Sequence, residues 1–77
     1  MPYLTIPQLG EQMKEATLLE WYIQPGDSFQ PGDLLFEIET DKVAFEVEAS
    51  FAGTLTAILV PIGSTVPVNT PVAECQD

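Results

Sequence analysis

The sequence has no histidine and no arginine, a single cysteine and only two lysines. Without histidine, and with Cys75 alone, it lacks the imidazole and thiolate clusters that hold zinc and similar metals, and it cannot close an internal disulfide. The fold must therefore be held by an apolar core. Long hydrophobic runs are missing too: AILVPI, at 57–62, is the strongest, far short of the roughly 20 residues a membrane-spanning helix needs. The start, MPYLTIPQLG, has neither the basic residues nor the continuous apolar stretch of a secretory signal. A cytoplasmic location is expected, or the mitochondrial matrix in a eukaryote. Basic charge is scarce as well. Twelve acidic residues against two basic ones give a formal net charge of −10, so nucleic acid and anionic membrane surfaces would repel the chain and are not expected as partners.

What is present points to β structure. The 77 residues, 45% of them hydrophobic, suit one small domain spanning 1–77. At this size folding buries only about 60% of the surface that the unfolded chain exposes. Seven prolines and five glycines punctuate short segments rich in Val, Ile, Leu, Phe and Thr that alternate with period two. The one helix candidate, LGEQMKEATLLEW, reads better as a strand in its second part. Cys75 ends an apolar alternation and is expected to be a small buried strand residue. Gly26, Gly32, Gly53 and Gly63, in PGD, PGD, AGT and IGS contexts, are expected at turns with positive φ.

An internal repeat at an offset of 37 residues organises the chain: Thr17-Leu18 recurs as Thr54-Leu55, Trp21-Tyr22-Ile23 as Ile58-Leu59-Val60, and Gly26 as Gly63. Phe29 matches Val66, Leu35 matches Val72 and Glu37 matches Glu74. Upstream of Ala16 the match fades, so residues 8–15 form a longer surface loop than their counterpart near 49–52. Two matching four-strand halves, each too small to bury its own apolar face, predict two four-stranded antiparallel sheets packed face to face. This is an all-β fold, a flattened barrel or sandwich with an internal pseudo-two-fold axis. The turn joining the halves should lie opposite the chain ends.

That turn falls in EIETDKVAFEVE, residues 37–48. Alternation predicts Phe36, Ile38, Phe45 and Val47 pointing inward and Glu37, Glu39, Glu46 and Glu48 pointing to water. With Asp41 and Lys42 as a two-residue tip, Ile38 faces Phe45 and Phe36 faces Val47; a one-residue slip would spoil both pairs. Glu37 then stands opposite Glu46, a like-charge pair that stability would not select. Asp-Lys is also a mediocre tight turn, where Asn-Gly or Asp-Gly is preferred. From the residues alone, a lysine among carboxylates is most simply a solvated counter-charge contributing about 0–1 kcal/mol. The register and the repeat weigh against that reading without identifying a modification.

GDLLFEIETDKVAFEVEA, residues 32–49, closely resembles the lipoyl-attachment motif of lipoyl domains in acyltransferase components of 2-oxo acid dehydrogenase complexes. The resemblance covers nearly the whole chain, with IPQLGEQMKEATLLEWYIQPGD similar to the family's start and AGTLTAILVPIGSTVPVNTPVAE to its second half. It implies the pseudo-symmetric sandwich already reached from the repeat, with Lys42 on an exposed turn acylated by lipoic acid. Asp41 and Val43, which flank it, would be read by a lipoate ligase or octanoyltransferase. The domain would be a carrier and not a catalyst. Its arm would be reductively acylated by a thiamine-diphosphate-dependent 2-oxo acid dehydrogenase, relieved of its acyl group at the acyltransferase core and reoxidised by dihydrolipoyl dehydrogenase. Tethering the intermediate to a rigid platform raises its effective concentration at each active site. In the family the loop equivalent to Gln8, Leu9, Gly10, Glu11, Gln12, Met13, Lys14 and Glu15 lies near the lipoyl-lysine and helps the first enzyme recognise its domain.

The sequence departs from the family's usual pattern at Ala16, often glycine, at Val43, often alanine, and at Phe51, often proline. Biotinyl carrier domains share the fold and modify a lysine at the same turn, but their pattern has methionine on both sides of it. Asp41 and Val43 argue against that reading. An unmodified lipoyl-like structural or interaction module is the other alternative, although such modules generally lack the motif lysine. Lys14, without a hairpin register around it, is expected to stay unmodified.

Overall fold

A computed structural model describes residues 3–40 and 43–76. The described residues form eight strands: β1 (Tyr3–Thr5), β2 (Glu15–Trp21), β3 (Ser28–Phe29), β4 (Leu34–Thr40), β5 (Val43–Glu48), β6 (Gly53–Ile58), β7 (Thr65–Pro67) and β8 (Pro71–Gln76). They make two four-stranded antiparallel sheets of order β1-β8-β6-β3 and β5-β4-β2-β7. Ile6, Leu18, Phe36, Ile38, Leu55, Val72 and Cys75, all fully buried, fill the space between them with Phe29 and Leu35. Cys75 is thus the buried strand residue that its alternation predicts. Among the described residues every buried side chain is apolar or cysteine, so apolar packing dominates the core.

The two sheet orders are one order with the halves exchanged, β1 to β4 becoming β5 to β8. The repeat is legible bond by bond. In the β2–β4 pair, Thr17 faces Glu39, Leu18 faces Ile38 and Glu20 faces Glu37, with a bulge between Leu18 and Glu20. Thirty-seven residues on, Thr54 faces Gln76, Leu55 faces Cys75 and Ala57 faces Glu74, with the same bulge between Leu55 and Ala57. Gly26 N–H donates to the Leu55 carbonyl at 2.8 Å, and Gly63 N–H to that of Leu18 at 2.7 Å. The hydroxyls of Thr17 and Thr65 bond at 2.7 Å, and those of their counterparts Thr54 and Ser28 at 3.2 Å. Even the backbone sign repeats: Gly32 has φ of 95° and its equivalent, Asn69, 68°. Asparagine is among the few side-chain-bearing residues that enter this region readily.

The first strand of each half is related by a different offset. Leu4 pairs with Ala73 and Val47 with Phe36, so β1 maps onto β5 with an offset of 43 where the rest maps with 37. Six extra residues therefore lie between β1 and β2, in the place where the repeat fades.

Three expectations need correction. Glu15 is not part of the loop: it opens β2, paired with Pro67. Gly53 is not a positive-φ turn residue, unlike Gly26, Gly32 and Gly63. It sits in β6 where a Cβ would come within 2.7 Å of the Gln76 carbonyl oxygen and 3.2 Å of Phe29 Cζ, so close backbone approach requires glycine there. Phe45 does not reach the core but keeps 36% of its surface exposed, and Val47 is half-buried. The cause is topological, because β5 is an edge strand and its opposite number, β1, has only three residues.

Candidate functional site

Strands β4 and β5 pair without slippage from Phe36–Val47 through Ile38–Phe45 to Thr40–Val43, the register that the buried alternation predicts. Two residues, Asp41 and Lys42, connect them in the sequence, and both lie outside the described residues. The pseudo-two-fold axis exchanges this junction with the chain ends, since it maps β4 onto β8 and β5 onto β1.

Beside the junction stands the six-residue insertion. Its ends are pinned: Ile6 N–H donates to the Thr70 carbonyl at 3.2 Å, Asn69 N–H to that of Ile6 at 2.7 Å, and Val68 N–H to that of Lys14 at 3.0 Å. Between the pins a turn closes through Met13 N–H to the Gly10 carbonyl at 3.1 Å. Met13 is buried and is the loop's anchor; its sulfur accepts the Leu9 N–H at 3.3 Å, while Gln8 Nε2 donates to its carbonyl at 3.4 Å. Gln8, Leu9, Gly10, Glu11, Gln12 and Lys14 are exposed. The reading of residues 8–15 as a surface loop overlooked Met13. The available signal was its spacing of four from Leu9, the other apolar side chain of the connection's polar stretch.

Loop and hairpin together enclose a groove of about 270 Å³, lined by Leu9, Gly10, Gln12, Met13, Thr40, Val43 and Phe45. Leu9, Val43 and Phe45 are all exposed large apolar residues. Thr40 and Val43 are the immediate neighbours of the Asp41-Lys42 pair, so the lysine's chain neighbours form one wall of an apolar groove. The lining suits an uncharged, largely hydrocarbon substituent.

On the sheet containing the hairpin, Glu20, Glu37 and Glu46 stand side by side on β2, β4 and β5, with strand spacings of about 4.8 Å. The Tyr22 hydroxyl donates to Glu46 Oε2 at 3.4 Å. Partial desolvation, followed by the charges of Glu37 and Glu46, pushes the Tyr22 phenol above its ordinary pKa. Among the described residues, no group of three or more His, Cys, Asp or Glu side chains is placed to hold a metal ion, and no helix is long and apolar enough to cross a membrane.

Residues 3–75 match the biotin/lipoyl family model, described as "Biotin-requiring enzyme". The dihydrolipoyllysine-residue acetyltransferase component of the pyruvate dehydrogenase complex of Rickettsia bellii is 46% identical over 71 residues, 91% of this chain and 17% of that protein. The dihydrolipoyllysine-residue succinyltransferase component of the 2-oxoglutarate dehydrogenase complex of Rickettsia typhi is 43% identical over 74 residues, 96% of this chain and 19% of that protein. The chain thus spans less than a fifth of these curated relatives. The solution structure of the lipoyl domain of the 2-oxoglutarate dehydrogenase complex from Azotobacter vinelandii superposes with a TM-score of 0.79 at 27% identity, covering 100% of this chain and 98% of that one. The chain belongs to the biotin/lipoyl attachment family, with the lipoyl domains of 2-oxo acid dehydrogenase acyltransferases among its relatives.

Proposed function

We propose that this chain is the lipoyl-bearing carrier domain of a dihydrolipoamide acyltransferase, with lipoic acid joined by an amide to Lys42. The observation that carries this reading is the hairpin register. Thr40 pairs with Val43, which leaves Asp41 and Lys42 as the whole connection between β4 and β5 in the sequence. When bound, a lipoyl group supplies a dithiolane that accepts acyl groups and reducing equivalents. The protein's own residues supply the platform. The fully buried Phe36 and Ile38 fix the hairpin to the core, and the doubled halves make a rigid base for a tethered arm. Asp41 and Val43 are the flanks by which a lipoate ligase or octanoyltransferase would distinguish Lys42 from Lys14, which is exposed in the loop. Amide formation needs an unprotonated amine, and a lysine amine is ordinarily protonated at neutral pH, so the attaching enzyme supplies the base.

The pinned loop, with Gln8, Leu9, Glu11 and Gln12 displayed beside the hairpin, would be the surface read by the thiamine-diphosphate-dependent 2-oxo acid dehydrogenase. The acyltransferase core and dihydrolipoyl dehydrogenase would then be visited in turn, and the domain itself would catalyse no step. Expression with a lipoate ligase and, separately, with a biotin ligase tests the assignment by intact mass. A lipoyl increment with the first and none with the second is expected. An unshifted mass with both would sink the carrier reading.

A further inference from the structure

We infer that the groove between the β1–β2 loop and the hairpin is a docking site for the chain's own lipoyl arm, in which the oxidised, uncharged dithiolane and its hydrocarbon stem rest between visits to partner enzymes. The inference depends on lipoylation at Lys42.

The first support is asymmetry. The two halves repeat turn for turn and bulge for bulge, yet the six extra residues occur only in the connection that borders the hairpin. They bring Leu9 and Met13 to the wall facing Val43 and Phe45. The second is exposure. In a chain of net charge −10, Leu9, Val43 and Phe45 leave 50%, 49% and 36% of their surface in water around one concavity. Ligand sites are typically concave and lined mainly by apolar side chains, as this groove is. The third is rigidity: Met13 is buried, its sulfur and its N–H are both engaged within the loop, and the Lys14 carbonyl is tied to Val68. The groove is formed before anything enters it.

The tether selects the occupant. Thr40 and Val43 line the groove and flank the Asp41-Lys42 pair in sequence, so a substituent on the lysine amine reaches it without diffusing from solution. A short flexible tether gives an effective concentration of roughly millimolar order, enough to populate a site too weak to hold the free molecule. The volume, about 270 Å³, lies just under the roughly 300–1,000 Å³ of small-molecule sites, which suits a small occupant. Among the described residues none of the lining side chains is charged, so a cargo bearing a carboxylate finds no counter-ion among them and would leave the groove. Docking would then depend on what the arm carries.

The test uses the isotopically labelled domain in unmodified and lipoylated forms, with the lipoyl increment confirmed by intact mass first. Nuclear Overhauser effects from the arm's methylene protons to the methyls of Leu9 and Val43 and the ring of Phe45 are expected, with arm resonances broader than those of free lipoamide. Leu9→Ser, at a position too exposed to endanger the fold, should weaken these effects at least severalfold while the backbone spectrum elsewhere is unchanged. A fully lipoylated domain whose arm resonances are as sharp as free lipoamide, with no effect to the groove, would overturn docking and leave the carrier reading intact. Absence of the mass increment would overturn both.

Discussion

Replacing Gly53 by alanine should destabilise the domain, although alanine in a strand is ordinarily better than glycine by about 0.5–1 kcal/mol. The added Cβ would lie 2.7 Å from the Gln76 backbone oxygen and 3.2 Å from Phe29 Cζ. Neither neighbour yields easily. Gln76 is paired with Thr54 in the β6–β8 ladder, and Phe29 is 1% exposed with Phe51 edge-on against it at 5.5 Å. Forcing an extra carbon into such packing costs roughly 1–3 kcal/mol, which for a domain of this size lowers Tm by about 4–24 °C, taking about 4–8 °C per kcal/mol. Thermal unfolding followed by circular dichroism measures it. Gly10→Ala is the control, since no described residue lies within 4 Å of where a Cβ would sit and its φ is not positive; it should shift Tm little or upward. A Gly53→Ala domain as stable as the parent would refute the close-approach argument.

Three further outcomes follow from the hairpin and its sheet. Glu37→Gln removes the centre of the Glu20–Glu37–Glu46 row and should stabilise the domain by about 0.2–1 kcal/mol in urea unfolding, an effect that shrinks with added salt. Tyr22 contributes to an alkaline limit: its raised phenol pKa means that the folded state holds the proton more tightly. This stabilisation is present below the unfolded tyrosine's pKa and is lost as pH rises through the folded value. Tyr22→Phe should flatten that loss in unfolding curves taken across the alkaline range. Changing both Asp41 and Val43 to methionine should raise biotinylation by a biotin ligase, read by avidin binding, while an unchanged yield would show that features beyond the flanks direct the ligases.

Much of the architecture was legible because it was written twice. The offset of 37 recovered the exchange of halves, and the buried alternation of Phe36, Ile38 and Val47 permitted a single hairpin register. The fading of the match above Ala16 located an insertion that the differing strand offsets measure as six residues. What stayed hidden depended on neighbours that one strand's pattern does not reveal. Phe45 alternates like a core residue, but whether it is covered depends on the reach of β1 on the opposite sheet. Gly53 has a turn-like local sequence, and only the Gln76 carbonyl from β8 explains it. Glu15 continues the polar loop in composition, and its place in β2 comes from pairing with Pro67. Met13 is one apolar residue in a polar stretch, with only its spacing of four from Leu9 to hint at the buried anchor it becomes in the folded loop.

Lys42 is the proposed point of attachment. Co-expression of the domain with a lipoate ligase, followed by intact-mass and peptide mapping of the parent, Lys42→Arg and Lys14→Arg forms, tests it most directly. One lipoyl group is predicted on the parent and on Lys14→Arg, located on the peptide containing Lys42, and none on Lys42→Arg. Lipoylation that survives in Lys42→Arg and disappears in Lys14→Arg would contradict it.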